Sequence, residues 1–385
     1  MDFNLTNEQE LLRDGLTKFL SSRYDLASSR AAAKTGPGWQ PEIWRAFADE
    51  LGILGAALPE EVGGIGGGPV ETMVIAEALG HALVIEPFVD TVVVSGGLLH
   101  RSGEPAAAAL LRDVVAGSAI VALAATEPTS GDNWRDVSTT ARRDGDEWVL
   151  NGSKVMAVGA PLAGHLLVTA RTSGERADTD GISLFLIDTD SLTTGFISHE
   201  YRTVDDRRAS DLTFEDVRLP ADALLGIEGQ AWPALQLARD EGAAAVCAEA
   251  VGGMRKVLAD TVEYCKQRQQ FGQPIGSFQA LQHRMVDMHM EVEQASAAVY
   301  LAVLNLDAEP AARAKAVSAA KATIGRAARF VGQNAVQLHG GMGMTEELAI
   351  GHYFKRLTAV QYEFGSTDYH VGRYAELTRA IGPEG

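Results

Sequence analysis

The sequence predicts an α+β protein in which a helical N-terminal domain, a middle β domain and a C-terminal helical bundle follow one another. Three stretches of different texture indicate this order. Apolar residues at helical spacing fill the first part, short apolar runs between turn residues fill the middle, and long Ala-rich stretches fill the last third. We therefore expect domains over residues 1–118, 119–226 and 227–385.

The N-terminal domain carries recognisable helix signals. Thr6 and Gln9 predict a capping box, in which each side chain accepts a hydrogen bond from the other residue's backbone N–H. Further helices are predicted over 42–54 and 70–81. The glycine-rich loop at 62–69 is interpreted as a connector, because a proline stands where a dinucleotide fingerprint needs its third glycine.

The other two domains differ in the length of their apolar segments. The middle domain contains short runs bounded by turn residues, which predict strands at 120–125, 148–150, 165–170, 181–188 and 212–214. After Gly226 the pattern becomes helical again, and long helices are predicted at 230–268, 278–306 and 311–338. Helices of this length are typical of an antiparallel bundle.

Composition and charge exclude several classes of partner. The 51 acidic residues outnumber the 33 Lys and Arg, and the net charge of −18 opposes unspecific binding to nucleic acid or to an anionic membrane. No apolar run approaches the roughly 18 residues of a membrane-spanning helix. The first residues, Met1–Leu5, lack the pattern of a signal peptide, so a cytoplasmic protein is expected.

Metal, disulfide and serine-hydrolase chemistry find no support in the sequence. Cys247 and Cys265 lie 18 residues apart on one predicted helix, which is too far for a disulfide. No H-E-x-x-H motif occurs, and His283 and His289 fall on different faces of a helix, so no metal site is expected. No G-x-S-x-G turn is present to expose a serine nucleophile.

Two segments near the end of the chain have the composition of a phosphate-binding site. Arg268–Gly272 and Gln337–Gly343 each lie at a break between long predicted helices. An arginine, a helix terminus and glycines without side chains can all approach a phosphate closely. Together these segments predict a dinucleotide site, although no Rossmann fingerprint accompanies them.

Carboxylates are the best candidates for acid–base chemistry. Asp240 and Glu241 are placed at the start of the long predicted helix. Glu363 lies in the segment Gln361–Gly365, near the C-terminal end of the sequence. A carboxylate in an apolar pocket can abstract a proton if the substrate's own acidity is enhanced. Helix capping is the alternative interpretation of Asp240 and Glu241.

The domain order and several motifs together resemble the acyl-CoA dehydrogenase family of flavoproteins. The motifs are the turn Thr126–Gly131, Arg268-Gln-Gln-Phe-Gly272 and Gln337-x-His-Gly-Gly-x-Gly343, and the resemblance covers essentially the whole chain. It is closest to the branch of pimeloyl-CoA dehydrogenase small subunits, on the segments 67–73, 276–284 and 351–357.

The resemblance implies a β-barrel-like middle domain, a C-terminal four-helix bundle and FAD bound at a subunit interface. It places Thr126 near the flavin, and it assigns the contacts with a neighbouring subunit's FAD to Arg268, Phe271, Gln279, Gln337, Leu338, His339, Gly340 and Gly341. In the family a glutamate removes the α-proton of an acyl-CoA thioester while a hydride passes to the flavin. The resemblance further implies a homo- or hetero-tetramer, with electron-transfer flavoprotein as electron acceptor.

The catalytic positions depart from the family pattern. Many members carry the base in a Tyr-Glu-Gly-Thr segment, and alignment on Gly365 puts Phe364 in the base position and Glu363 one residue away. Other members carry the base on the long helix, and counting back from Arg268 reaches Gly242, with Glu241 again adjacent. Glu241 and Glu363 therefore stay competing candidates for the base.

The flavin-facing segment is altered as well. Where the family has an aromatic residue followed by Ile-Thr, this chain has Met156-Ala157-Val158, and a valine cannot donate the hydroxyl hydrogen bond of a threonine. The usual Gly-Ser-Asp after the first turn reads Gly131-Asp132-Asn133.

The C-terminal segments expected to reach FAD match the family pattern, whereas the flavin-facing and catalytic segments depart from it. This difference leads to a hypothesis about assembly. We expect a subunit of a heteromeric acyl-CoA dehydrogenase, in which another polypeptide supplies the flavin-facing strand and the base. The alternatives are a self-sufficient homomeric enzyme that uses Glu241 or Glu363, and a catalytically silent partner without flavin. Dicarboxylic and steroid-derived acyl groups are both compatible with the sequence.

Overall fold

A computed structural model describes residues 5–379, and Met1–Asn4, which entered the signal-peptide prediction, lie outside them. Eleven α-helices are found in this range. They are α1 (Asn7–Arg23), α2 (Leu26–Thr35), α3 (Pro41–Asp49), α4 (Pro69–Ala82), α5 (Gly96–Ser102), α6 (Pro105–Val115), α7 (Trp232–Gln267), α8 (Gln279–Val303), α9 (Pro310–His339), α10 (Ala349–Ala359) and α11 (Thr367–Arg379). A π-helical segment, Phe88–Ser95, leads directly into α5.

The middle of the chain forms one mixed sheet. Its strands are β1 (Val121–Ala124), β2 (Thr140–Asp144), β3 (Glu147–Val158), β4 (His165–Arg171), β5 (Ile182–Asp188), β6 (Phe196–Arg202), β7 (Arg208–Pro220) and β8 (Leu224–Leu225). The strand order is β6-β7-β3-β2-β4-β5-β8, and β1 pairs in parallel with β4. Two short strands, β9 (Gln269–Gln270) and β10 (Gln273–Pro274), make a separate hairpin.

The chain divides into two compact units. The first contains residues up to Ser29, Pro69–Val84 and Ala243 onward, and the second contains Arg30–Gly68 and Ile85–Gly242. Each unit thus combines segments that are distant in the sequence. The three domain boundaries expected from the sequence stay a prediction.

The first unit is built around α9. Its buried residues Val317, Ile324, Val331 and Leu338 recur every seven positions, which makes one continuous apolar stripe along the helix. Helix α8 packs along α9, and the shorter α10 and α11 also pack against it. The core of the unit is rich in alanine and valine, so its helices can approach closely.

The second unit is centred on the sheet. Buried Trp148 of β3 packs edge-to-face on Phe185 of β5 at a centroid distance of 5.3 Å. The faces of β3, β4, β5 and β7 together form one apolar core. Thr126, the predicted flavin neighbour, lies two residues after the end of β1.

The α+β class and the order of helical, β and helical regions are confirmed. The predicted capping box is present, with each side chain of Thr6 and Gln9 accepting the other residue's backbone N–H. Both cysteines are buried free thiols, as expected for one helix. The long helices differ from their predicted bounds by at most three residues.

Other element predictions were wrong or incomplete. The helix predicted over 42–54 ends at Asp49, because Gly52 adopts a left-handed conformation with a φ of 62° and a short 3-10 turn follows. Strand β6 was missed because its mostly exposed residues form no apolar run. Helix α11 was missed for a similar reason, since only His370 among its residues is buried.

Within residues 5–379, no helix combines the length and the apolar character that crossing a bilayer requires.

Candidate functional site

The segment after α7 is a tight hairpin that displays an aromatic side chain. Phe271 and Gly272 connect β9 to β10 with φ angles of 53° and 80°, the pattern of a two-residue type I′ turn. A positive φ is uncommon for a phenylalanine. The Phe271 side chain is 91% exposed, and its ring forms a T-shaped pair with the Phe278 ring at a centroid distance of 6.1 Å. The hairpin therefore presents Phe271 outward.

The two segments predicted to bind phosphates meet in the structure. Tyr264, in the last turn of α7, stacks on His339 with ring centroids 4.3 Å apart, and the backbone carbonyl of Tyr264 accepts a hydrogen bond from Arg268 N. His339 is the last residue of α9. Residues about seventy positions apart in the sequence are thus held side by side.

Residues 337–341 divide into inward and outward members. Leu338 packs into the core, and buried His339 bonds through Nδ1 with the Ala335 carbonyl at 2.8 Å. Gln337, Gly340 and Gly341 are exposed. A Cβ at either glycine would meet no heavy atom within 4 Å, so the backbone here borders open space. Leu338 and His339 can contact a ligand only through their backbone atoms in this arrangement.

Helix α8 begins beside the hairpin with an uncapped N-terminus. Gln279 is its first residue and is exposed, and the preceding Phe278 provides no side-chain cap. Exposed Arg268 lies at the other side of the hairpin. A helix N-terminus and a guanidinium both attract phosphate oxygens. Together with the open glycines, these groups fit a dinucleotide pyrophosphate, and exposed Phe271 fits the face of an aromatic ring.

The turn that contains Thr126 is anchored by a buried ion pair. Glu127 receives hydrogen bonds from Lys154 Nζ at 2.7 Å, from the backbone N–H groups of Ser138 and Thr139, and from the Ser138 hydroxyl. Burial alone would raise the pKa of Glu127, but Lys154 and these donors outweigh it and lower the pKa to about 2. The pair ties the turn after β1 to strand β3.

Strand β3 is distorted where the flavin-facing segment is predicted. The β3–β7 register shifts between Lys154 and Ala157, and Met156 has a φ of 54°. The backbone N–H of Met156 donates to Asp211 Oδ1 at 3.1 Å, and the Tyr201 hydroxyl donates to the same oxygen at 2.7 Å. Burial and this carboxylate raise the pKa of Tyr201 to about 12.

Glu241 lies inside α7 and is bound by an arginine. Both Nη atoms of Arg101, on α5, donate to its two carboxylate oxygens at 2.9 Å. The pair packs on Gly97, where a Cβ would come within 3.0 Å of Glu241 Oε2. Helix α7 begins at Trp232, so Asp240 and Glu241 occupy its third turn. Their placement at the helix start, and their interpretation as helix caps, were therefore wrong.

Glu363 is also bound by an arginine. Arg356 of α10 donates to both of its oxygens, through Nη1 and, at 2.9 Å, through Nη2. The same guanidinium holds buried Glu249 of α7, with contacts of 2.7 Å and 2.9 Å. One arginine thus bridges two carboxylates. Glu363 belongs to the first compact unit and Glu241 to the second.

The turn Val360–Ser366 around Glu363 is fixed by buried polar side chains. Lys321 Nζ, fully buried, donates to the carbonyls of Val360 at 2.8 Å, Gly365 at 3.0 Å and Gln361 at 3.3 Å. His370 Nε2 bonds with the Phe364 carbonyl at 3.1 Å. These bonds hold Phe364 at a φ of 56°. Four carbonyls of the turn are therefore occupied by bonds within the protein.

Sequence reasoning missed the arginines that bind the two candidate bases. Arg101 belongs to none of the motifs, and it lies 140 positions before Glu241. Arg356 precedes Glu363 by seven positions, but α10 ends at Ala359 and Glu363 lies in the following turn, so no helical spacing announces the pair. Within residues 5–379, no group of three or more potential metal ligands occurs.

Comparisons with known proteins cover nearly the whole chain. Family models for the N-terminal, middle and C-terminal domains of acyl-CoA dehydrogenase match residues 6–118, 122–217 and 229–377. The acyl-CoA dehydrogenase FadE12 of Mycobacterium tuberculosis is 32% identical over 353 residues, which are 90% of this chain and 89% of that protein.

Two solved structures show the same architecture. The Tcur3481-Tcur3483 steroid ACAD has a TM-score of 0.86 and 29% identity, and the alignment covers 97% of this chain and 98% of that one. The FAD complex of PigA has a TM-score of 0.89 and 26% identity, with 99% and 100% of the two chains covered. The chain therefore belongs to the acyl-CoA dehydrogenase family of FAD-dependent oxidoreductases.

Proposed function

We propose that this chain is one subunit of a heteromeric enzyme that dehydrogenates an acyl-CoA thioester to the 2-enoyl-CoA. Its C-terminal segments complete a FAD site, and a different polypeptide supplies the flavin-facing strand and the catalytic base. One observation carries the proposal. Both carboxylates next to the family's base positions, Glu241 and Glu363, have each of their oxygens bound by an arginine.

A catalytic base needs an oxygen that can reach the substrate's proton. Glu363 would have to leave Arg356, which would leave that buried guanidinium with one carboxylate, and the turn would have to break its bonds to Lys321. Glu241 would have to leave Arg101. The Glu363 rearrangement is the more expensive of the two, because it also breaks the buried bonds that Lys321 makes with the turn.

The groups around the hairpin carry the FAD part of the proposal. Arg268 and the N-terminus of α8 at Gln279 would hold the pyrophosphate, with the backbone of Gly340 and Gly341 at close approach. Phe271 would pack on the cofactor's rings. Gln337 would add an amide contact, and Leu338 and His339 would support the segment from the core. When bound, FAD accepts the hydride that leaves the substrate's β-carbon.

In this proposal, the middle domain of this chain makes only weak contacts with a flavin. Thr126 is half-buried, and its carbonyl accepts the N–H of Val155, so the turn is well placed on β3. Val158 has no hydroxyl with which to donate a hydrogen bond to a flavin. Exposed Met156 offers a thioether in place of an aromatic face. These features favour a flavin whose main protein contacts lie on another subunit.

The likeness to the Tcur3481-Tcur3483 steroid ACAD supports both a two-polypeptide assembly and the substrate to test first. That structure is named for two polypeptides, Tcur3481 and Tcur3483, and for a steroid. We propose a steroid-derived acyl-CoA as the first substrate, a dicarboxylic acyl-CoA as the second, and electron-transfer flavoprotein as the acceptor.

The decisive experiment compares the chain purified alone with the chain co-expressed with dehydrogenase-like genes from its own genome. Native mass and the FAD-to-protein ratio are measured for both. We expect stable FAD only in the co-purified complex, at about one FAD per pair of chains. An active homotetramer with one FAD per chain would contradict the proposal, and a complex without any flavin would indicate a silent structural partner.

A further inference from the structure

Tyr264 joins the two segments that are proposed to bind FAD, the hairpin 268–274 and the glycine segment 340–343. It lies in the last turn of α7 and belongs, with both segments, to the first compact unit. Its backbone carbonyl accepts the N–H of Arg268 at 2.8 Å. Its ring stacks on His339, the last residue of α9, with centroids 4.3 Å apart and an interplanar angle of 27°. One residue therefore contacts both sides of the proposed site.

The ring on which Tyr264 stacks is held by its own helix. His339 Nδ1 lies 2.8 Å from the Ala335 carbonyl, and because a carbonyl only accepts, Nδ1 donates the hydrogen bond. The residue is 5% exposed, although exposed Gly340 follows it directly. Rotation of this buried ring would break the bond to Ala335. Tyr264 thus stacks on a surface of fixed orientation.

The glycine segment folds back onto the same histidine. Gly340 has a φ of 59° and a ψ of −142°, a backbone conformation that is essentially restricted to glycine. A Cβ on Gly343 would come within 2.8 Å of the Val336 carbonyl and 3.1 Å of His339 Cβ, so any side chain there would displace the backbone. The position of residues 340–343 therefore depends on where His339 is held.

The hairpin is fixed to the end of α7 on the other side of Tyr264. Ile275 donates its N–H to the Arg268 carbonyl at 2.8 Å, which closes the hairpin at its base. A Cβ on Gly276 would come within 3.0 Å of the Cys265 carbonyl, so the chain that leaves the hairpin packs directly on the residue after Tyr264. The hairpin is therefore fixed relative to Tyr264.

The ring of Tyr264 makes the link to His339, and its hydroxyl contributes little. The hydroxyl lies 3.5 Å from the His339 carbonyl, at the outer limit of a hydrogen bond. Stacked rings, in contrast, attract each other beyond the apolar area that they bury. A phenylalanine at position 264 should therefore keep the link, and an aliphatic residue should lose it.

We propose that Tyr264 is a positioning residue for FAD, which holds the glycine segment 340–343 at a fixed distance from Arg268 and Phe271. It acts through His339 rather than by contact with the cofactor. A ligand bound by two segments at once is held less tightly when one of them shifts, even if every donor is still present. The inference rests on the FAD site of the proposed function, and it adds a residue that none of the site's motifs contains.

The first experiment measures FAD affinity and the visible circular dichroism of the bound flavin in the assembled enzyme. The dichroism reports the surroundings of the flavin and does not require turnover. For Tyr264→Leu we expect altered dichroism and binding weaker by about tenfold, the upper end of what an aromatic pair contributes. Tyr264→Met, which retains more of the side chain's length, should give the same result and replaces Tyr264→Leu if that variant does not fold.

Tyr264→Phe tests the ring separately from the hydroxyl. This variant keeps the stack on His339 and loses only the 3.5 Å contact. Its FAD affinity should stay within about twofold of the wild type, with unchanged dichroism. A loss as large as that of Tyr264→Leu would overturn the proposal, because the ring would then not be the group that positions the segment.

Tyr369→Leu is the matched control for lost stability. Tyr369 is half-buried like Tyr264, lies in the same compact unit and contacts the ring of His370 at a centroid distance of 5.2 Å. His370 bonds with the Phe364 carbonyl, away from the glycine segment in the sequence. The thermal unfolding midpoint should fall in both Leu variants, and FAD affinity should fall only in Tyr264→Leu. Equal losses of FAD affinity would contradict the proposal.

A double-mutant cycle tests whether the effect passes through His339. If it does, adding Tyr264→Leu to His339→Leu should weaken FAD binding by less than about twofold further. A full additional tenfold loss would show that Tyr264 acts independently of His339, and the proposed link would be wrong.

Phe271→Ala separates a failure of this inference from a failure of the proposed FAD site. If Phe271→Ala weakens FAD binding and Tyr264→Leu does not, the site stands and Tyr264 does not position it. If neither variant weakens binding, the hairpin does not contact FAD, and both proposals are overturned.

Discussion

The hairpin Arg268–Pro274 and the turn Val360–Ser366 differ in whether their polar and aromatic groups are exposed or bound within the protein. The hairpin exposes 91% of Phe271 and stands beside glycines that border open space. The turn binds its carbonyls to Lys321 and its carboxylate to Arg356. The groups of the hairpin are available to a ligand or to another subunit. The groups of the turn are bound within the protein and stabilise the turn itself. In our proposal, contact with the cofactor and supply of the catalytic base are therefore separate roles, and only the first belongs to this chain.

The largest effect on the free energy of unfolding is expected in the turn Val360–Ser366. Lys321→Met should lower the free energy of unfolding by about 3 kcal/mol or more, because several buried carbonyls lose their donor. Urea unfolding measures it. Lys315→Met is the control on the same helix, since Lys315 lies over the Tyr374 ring at 5.2 Å and its loss should cost less than about 1 kcal/mol. Equal losses would mean that the turn is not clamped.

The buried ion pair of Glu127 and Lys154 should make the free energy of unfolding fall in acid. The pKa of Glu127 is lowered to about 2, so its contribution is present above the unfolded value near 4.5 and is lost as the pH falls from there towards 2. We expect a loss of about 3 kcal/mol over this range. Urea midpoints measured against pH test this. Glu127→Gln should flatten the curve, and parallel curves for the two proteins would contradict the assignment.

In the hairpin Arg268–Pro274, a substitution should affect FAD binding more than the stability of the fold. Phe271→Ala should change the free energy of unfolding by less than about 0.5 kcal/mol, because the side chain is exposed. It should weaken FAD binding in the assembled enzyme by about tenfold, or about 1.4 kcal/mol. FAD retention after dilution measures this. Leu11→Ala, at a residue 72% exposed on α1, is the control, and similar FAD retention in the two variants would remove Phe271 from the site.

The smallest effect is expected at the carboxylates themselves. Glu363→Gln and Glu241→Gln should each leave turnover by the assembled enzyme within about twofold, since neither removes the proton in our proposal. Loss of a true base costs about 10²–10⁴-fold. Steady-state rates with the acyl-CoA substrate separate these cases. A hundredfold loss in either variant would identify the base on this chain and favour the homomeric enzyme.

Local patterns predicted much of the fold. The capping box of Thr6 and Gln9 and the bounds of α7, α8 and α9 follow from residue types within a few turns of each other, and they were found as expected. Strand β6 and helix α11 escaped prediction because few of their residues are buried, although β6 pairs with β7 and α11 packs on α9, so they leave no apolar rhythm in the sequence.

The candidate site was only partly predictable. Arg268, Phe271 and the glycines at 340 and 341 could be named because their residue types carry the chemistry themselves. The arginine partners of the two glutamates could not, since an ion pair between positions 140 residues apart has no sequence signature. The same limit hid Lys154, whose role depends on the position of Glu127 in the turn after β1 of the folded domain.

By itself, the sequence determined the succession of helical, β and helical regions, the family resemblance and the displaced acids beside Gly242 and Phe364. Only the tertiary structure decided that both acids are bound by arginines while Phe271 stays exposed. The physical reason is that secondary structure depends on neighbours along the chain, whereas the availability of a side chain depends on which distant residues fold against it.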